Sequence, residues 1–447
     1  MRISHLSCLL GCVGLCAASL ARTERSFHTN IKRANSSAGA MFQLSSDSDF
    51  HFEILRTMSL SPYEGADIGD VLIAANEIKP GDFESYYAAF NKLAVRVHKA
   101  AKDIDSRKHP VSARNALFKA ASYYRSADFF LHGNWNDPRI NSLWAKQLAA
   151  FDDAMALLPV PGERINLHAK DDNFTTPAIF FGSGLPGPRP TIIMCNGYDG
   201  SQEEMYHMVG QAAIQRGMNV ITYEGPGQPT VRREQNLGFI PQWERVVTPV
   251  VDYALTRPEV DADGIGLMGY SFGGFLAPRA AAFEDRIAAV FAIDGIYDFG
   301  QSIMDSFPTQ LIKIFKSGNA PLFNSIIDKA VADPSASTAR RWGVQQGMWS
   351  FDVKTPFEWM SRAEAYNLTG LTQNIKAPVF VADAQNDQFF PGQGKILADK
   401  LGSRATYHYF KTIDGAGEHC SVGASVMGNQ VSLDWFEDIL SRGRDYS

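Results

Sequence analysis

Gly269-Tyr270-Ser271-Phe272-Gly273 places a serine in a G-x-S-x-G frame, the spacing of a nucleophile elbow. Gly264 to Met268 before it are apolar enough for a buried strand, and Phe272 to Phe283 after it read as a helix. Such a turn holds its serine in strained backbone, so the positions two before and two after it must be small. Gly269 and Gly273 fill them, and Gly274 lets the helix start close to the strand.

A serine is a poor nucleophile until a base within hydrogen-bond reach takes its proton and an acid orients that base. Behind an elbow the partners follow in the order serine, carboxylate, histidine. Pro378 to Ala382 is an apolar run suited to a late parallel strand, and Asp387 lies on the loop after it, ahead of Pro391-Gly392. Asp387 is the first candidate for the acid, Asp383 at the strand end the second, and Asp294 after the strand-like Ile287 to Ile293 the third. Thr406 to Ile413 reads as the next strand, followed by the loop Asp414 to Cys420 that carries His419, the candidate base; His408 falls inside the strand as a structural side chain.

The chemistry also needs two N–H groups aimed at a developing oxyanion. One is the N–H of Phe272. The other belongs to Tyr198 or Gly197, in the loop Asn196-Gly197-Tyr198-Asp199-Gly200 after the strand Thr191 to Cys195. Asp199 is read first as a cap of the helix starting at Ser201, and second as a substrate contact. Glu224-Gly225-Pro226-Gly227-Gln228 is a further turn that brings backbone near the mouth of the site.

The elements that must position these residues alternate. Apolar segments at 178–181, 191–195, 219–223, 264–269, 287–293, 378–382 and 406–413 are separated by helical patterns, which predicts an α/β fold with a mostly parallel sheet. Ligands of such sheets bind at the carboxyl ends of the strands. Residues 41–161 are helical, with a stripe through Tyr86, Phe90, Leu93 and Val97 and another through Ala113, Leu117, Ala120 and Tyr124. The core is expected over 162–447, with a helical lid insertion at about 297–372 that is rich in Phe and Trp.

Asn196 to Glu204, Glu224 to Gln228, the elbow, and the N-terminal stretches Gly65 to Leu72 and Tyr123 to Asp128 together resemble one branch of the α/β-hydrolase superfamily. That branch includes the 2,6-dihydroxypseudooxynicotine hydrolases and the fungal "yellowish-green" pigment hydrolases. The resemblance runs from Met41 onward and implies a helical segment before the hydrolase core. It also implies a Ser-Asp-His triad that cleaves carbon–carbon bonds in ketone or polyketide substrates in secondary metabolism, and a homodimer. Tyr124 and Arg125, in the family-like stretch, become candidate substrate contacts. A triad alone would equally serve a carboxylesterase, a thioesterase, or an acyltransferase or cyclase.

The whole chain narrows the partners. A net charge of −6 without a basic cluster near the site gives no reason to expect nucleic acid. No C-x-x-C or His-x-x-x-His spacing suggests a metal, and no cofactor is expected, which leaves a small-molecule substrate. Residues 1–40 carry five Lys/Arg and one acidic residue. The uncharged run Leu6 to Ala21 is too short for a stable membrane span, and Ser19-Leu20-Ala21 suits a signal peptidase. Secretion or an endomembrane location through a signal peptide is the expectation, with a mitochondrial presequence as alternative. Cys8, Cys12 and Cys16 would leave with this leader; Cys195 and Cys420 remain and do not make a disulfide framework.

Overall fold

The computed structural model describes residues 41–168 and 173–444; the leader expectation lies outside them. Helices α1 (Ser48–Met58), α2 (Ile68–Glu77), α3 (Phe83–Lys102), α4 (Pro110–Asp128) and α5 (Pro138–Met155) come first. Aspartates start three of them: Asp47, Asp82 and Asp137 accept first-turn N–H groups of α1, α3 and α5. The stripe on α3 is buried at Tyr86, Phe90, Leu93, Ala94 and Val97, as the three- and four-residue spacing requires.

The sheet follows: β1 (Glu163–His168), β2 (Thr175–Phe181), β3 (Arg189–Cys195), α6 (Gln202–Met205), α7 (Gln211–Gln215), β4 (Asn219–Tyr223), α8 (Pro229–Glu234), α9 (Glu244–Thr256), β5 (Val260–Tyr270), α10 (Gly273–Ala281) and β6 (Ala289–Ile293). Helices α11 (Phe299–Asp305), α12 (Thr309–Lys316), α13 (Ala320–Ala332), α14 (Thr338–Phe351) and α15 (Pro356–Ala363) form the insertion. The chain ends with β7 (Val379–Ala384), α16 (Gln393–Leu401), β8 (Ala405–Phe410) and α17 (Ser425–Arg444).

Eight strands run in the order β1-β2-β4-β3-β5-β6-β7-β8. The pairs from β4 to β8 are parallel; β1 and β2 are antiparallel additions at one edge. Strands β4, β6 and β7 are buried at every position, because helices cover both faces. Alternation sorts their side chains between two cores. Ile192, Met194, Met268 and Phe291 join the core under the N-terminal helices. Ile193, Cys195, Leu267 and Val290 join the core under α9, α10 and the insertion. The connection order reverses where β3 lies beside β5, the place where open sheets of this kind leave a crevice.

Candidate active site

Five strand ends converge on that crevice. Ser271 follows β5 directly with φ +57°, a left-handed value that costs a non-glycine residue energy. A Cβ on Gly269 would stand 2.0 Å from the Gly273 oxygen, so the turn cannot close with any larger residue there. Gly273 is less constrained than the motif implies: its Cβ would meet nothing closer than 3.3 Å.

His419 Nε2 lies 2.8 Å from Ser271 Oγ. On the other side of the ring, Nδ1 lies 2.9 Å from Asp294 Oδ2 and 3.1 Å from Asp387 Oδ2. Neither oxygen lines up with the ring N–H as a linear hydrogen bond would, so the imidazole is shared between two carboxylates. Asp387 Oδ1 accepts the N–H groups of Phe389 at 2.8 Å and Phe390 at 3.0 Å. Asp294 Oδ2 accepts the Cys420 N–H. The first and third candidates for the acid thus sit side by side. Asp383 does not join them: its Oδ2 accepts from the Tyr407 hydroxyl at 2.9 Å. His408 packs between Phe380 and Phe410 on β8.

The two carboxylates are electrostatically unequal. Burial would raise Asp387, but the His419 charge and the Phe390 and Phe389 N–H groups hold it below the ordinary carboxylate value. Asp294 moves up, through burial first and then the neighbouring Asp387 charge. Burial would lower His419, yet Asp387 and the contacts to both carboxylates carry it well above the ordinary imidazole value. Phe389 and Phe390 face this ring edge-on, with centroids 4.9 and 5.6 Å away. Burial pushes the neighbouring Cys420 thiol up to about 11, so it stays protonated and is no rival nucleophile. Cys195 and Cys420 are both free and buried.

The choice between Gly197 and Tyr198 follows from hydrogen bonding. The Gly197 N–H is committed to Asn196 Oδ1 at 2.8 Å. Among the described residues, neither the Phe272 nor the Tyr198 N–H has an acceptor. Gly197 instead lets the loop approach the elbow closely, since a Cβ there would stand 2.6 Å from the Phe272 nitrogen and 2.9 Å from Ser271 Cβ. Gln228 of the Glu224 turn holds this loop, its Nε2 donating to the Asn196 oxygen at 2.6 Å. Gln346 on α14 donates to the Tyr198 oxygen at 3.2 Å and contacts His132 Nδ1 at 2.6 Å.

Three expectations need correction. Asp199 is not a helix cap: Ser201 Oγ caps α6 by accepting the Glu204 N–H. Asp199 Oδ1 instead pairs with Arg56 at 2.8 Å and Arg125 at 3.3 Å. Tyr124 turns away from the crevice, toward His98 and Lys146. Arg125 reaches Glu53 and Asp199 and belongs to the wall behind the site.

Ser271, His419, Tyr198 and Asp199 open into one cavity of about 500 Å³. Phe299, Phe307, Trp342, Trp359 and Phe389 supply aromatic walls, and α1 lines it with Ser48, Asp49, Phe52, Glu53 and Arg56. Cavities of this size enclose drug-sized organic molecules. A half-buried serine hydrogen-bonded to an imidazole that two carboxylates flank, beside two open N–H groups, is the equipment of acyl transfer.

The FrsA-like esterase family matches residues 86–306. Hydrolyase poxO of Penicillium oxalicum is 31% identical over 367 residues, which span 78% of this chain and 85% of poxO. The chain belongs to the α/β-hydrolase family that includes poxO. The hydrolase is also 29% identical over 414 residues to the 20-hydroxy-prefusarin hydrolase FUS2 of Gibberella moniliformis, covering 89% of this chain and 97% of FUS2. Its fold matches the crystal structure of 2,6-dihydroxy-pseudo-oxynicotine hydrolase with a TM-score of 0.67 at 22% identity, over 86% of this chain and 96% of that one. Among the described residues, no helix is long and apolar enough to cross a membrane.

Proposed function

We propose that this hydrolase cleaves a carbon–carbon bond next to a ketone in a polyketide-like or aryl ketone substrate of secondary metabolism, through Ser271, His419 and Asp387. The observation that carries the reading is the Ser271–His419 contact of 2.8 Å inside an aromatic-walled cavity. The resemblance to ketone-cleaving hydrolases supplies the bond type. Relatives named as hydrolases of fungal metabolites, such as 20-hydroxy-prefusarin hydrolase, support the substrate class.

Ser271 Oγ attacks the carbonyl carbon and its proton passes to His419 Nε2. Asp387 fixes the ring with Nδ1 protonated and stabilises the imidazolium. The N–H groups of Phe272 and Tyr198 hold the oxyanion. On collapse the C–C electron pair moves into the second ketone as an enolate, which a proton converts to the free ketone. Water, with His419 as base, then releases the acid from Ser271. One water is consumed, and one acid and one ketone form.

The matching FrsA-like family's esterase description favours a second reading, carboxylester or thioester hydrolysis by the same residues. Rapid quenching of a 1,3-diketone reaction, followed by peptide mass spectrometry, tests the first reading. It predicts the acyl half of the diketone on Ser271; turnover with that serine never acylated would overturn it.

A further inference from the structure

Helix α1 crosses the site and touches it at two points. The Phe52 ring stands 6.1 Å from the His419 ring. One turn on, Arg56 reaches Asp199 of the oxyanion loop at 2.8 Å and clasps Glu204 through two hydrogen bonds of 2.9 and 2.7 Å. Glu53 lies between these anchors along the helix and lines the same cavity as Ser271.

The surroundings of Glu53 leave one negative charge too many. Glu53, Asp199 and Glu204 are three carboxyls around two guanidiniums, Arg56 of α1 and Arg125 of α4, with the Tyr86 ring of α3 also facing the group. Arg56 gives its short contacts to Asp199 and Glu204, at 2.8 and 2.7 Å, and reaches Glu53 only at 3.4 Å, while Arg125 is spread over Asp199 at 3.3 Å, Glu53 at 3.4 Å and Glu204 at 3.6 Å. Four of the five side chains are buried and Asp199 is nearly so, and an uncompensated charge there is costly. Burial, with the Asp199 and Glu204 charges, outweighs the two arginines and raises Glu53 to about 7.

We propose that Glu53 is the general acid for the leaving ketone, delivering its proton to the enolate oxygen as the C–C bond breaks. The assignment rests on the carbon–carbon reading above. As the bond breaks, its electron pair forms the enolate, and the Glu53 O–H proton passes to that oxygen to give an enol and a Glu53 carboxylate. The His419 imidazolium then gives the serine's proton to the enol's α-carbon while the Glu53 carboxylate takes back the enol O–H proton. The ketone departs, and His419 is neutral again for water attack on acyl-Ser271. An ester needs no such acid when its alcohol leaves as a stable phenolate, so Glu53 separates the two chemistries.

The test compares wild type and Glu53→Gln on 1-phenyl-1,3-butanedione and on phenyl acetate, across pH. Glutamine keeps the shape but cannot protonate an enolate. The expected result is a fall in diketone kcat of about 10²- to 10³-fold, exceeding the loss on the ester by at least about tenfold. The wild-type diketone profile should decline at alkaline pH, and that limb should vanish in Glu53→Gln. Equal losses on both substrates, or a retained limb, would show a merely structural carboxyl and overturn the assignment. If wild type cuts the ester but never the diketone, the carbon–carbon reading itself falls, and Glu53 with it. A second measurement needs no variant: general-acid help makes wild-type kcat insensitive to enolate stability across fluorinated diketones, and a steep dependence contradicts it.

Discussion

Asp294 Oδ2 lies 2.9 Å from His419 Nδ1, marginally nearer than Asp387 Oδ2 at 3.1 Å. Distance therefore does not decide which carboxylate is the triad acid. Environment does: two backbone N–H groups and the imidazole charge keep Asp387 ionised, whereas burial and its neighbour push Asp294 toward the neutral form. Asp387→Asn should lower kcat by about 10³- to 10⁴-fold, as loss of a triad acid leaves the wrong tautomer. Asp294→Asn should cost about ten- to a hundredfold, and steady-state kinetics on an aryl ester ranks the two.

The same pair sets a pH dependence. His419 must be neutral to act as base, and its pKa is raised in the folded enzyme, so activity on an ester should climb with pH through a value above the ordinary imidazole range. Removing the Asp294 carboxylate should move that limb to lower pH. For stability the sign is opposite. A raised histidine stabilises the fold below its unfolded pKa, and this contribution is lost as pH rises through the folded value. Kinetic pH profiles and urea titrations at several pH values read the two effects separately.

Gly197→Ala should disable the oxyanion site and also press on the nucleophile, since the new Cβ would stand 2.9 Å from Ser271 Cβ. The added Cβ would stand 2.6 Å from the Phe272 nitrogen. Loss of one oxyanion donor costs about 10²- to 10³-fold in kcat, and that range is expected here. Active-site titration with a fluorophosphonate counts the reactive Ser271, so that turnover is compared per reactive serine.

Arg56→Ala should be among the most destabilising single changes. It strips the buried Glu204 and its neighbour Asp199 of their principal cation. Breaking one side of a buried ion pair costs about 3–5 kcal/mol. Urea unfolding measures it, and a loss below about 1 kcal/mol would mean that water reaches the cluster.

The central strands are legible in the sequence because both their faces are buried and their apolar runs are short and unbroken, as in Ile192-Ile193-Met194. Strand β1 is not, because it is a polar edge strand, Glu163-Arg164-Ile165-Asn166-Leu167-His168, exposed along much of its length. Ser271, His419 and Asp387 stand out because each type sits on a loop after an apolar run. Asp294 ranks too low on sequence alone, because chain order reveals nothing of its distance to His419. Asp199 reads as a cap because it stands just ahead of a helix; Ser201, two residues later, fills that role. Nothing in the sequence marks the acidic and basic residues of α1; only the packing of α4 and the oxyanion loop buries Glu53 and Arg56. Gln228 and Gln346 act through hydrogen bonds to backbone oxygens, which leave no pattern in the chain.

The most direct test of the account is product analysis by mass spectrometry. Wild type and Ser271→Ala would be incubated with matched panels of aryl 1,3-diketones and aryl esters. Release of one acid and one ketone from the diketones by wild type, reduced by about 10⁴-fold or more in Ser271→Ala, is the predicted result. Cleavage of esters alone, or diketone cleavage that survives loss of Ser271, would contradict it.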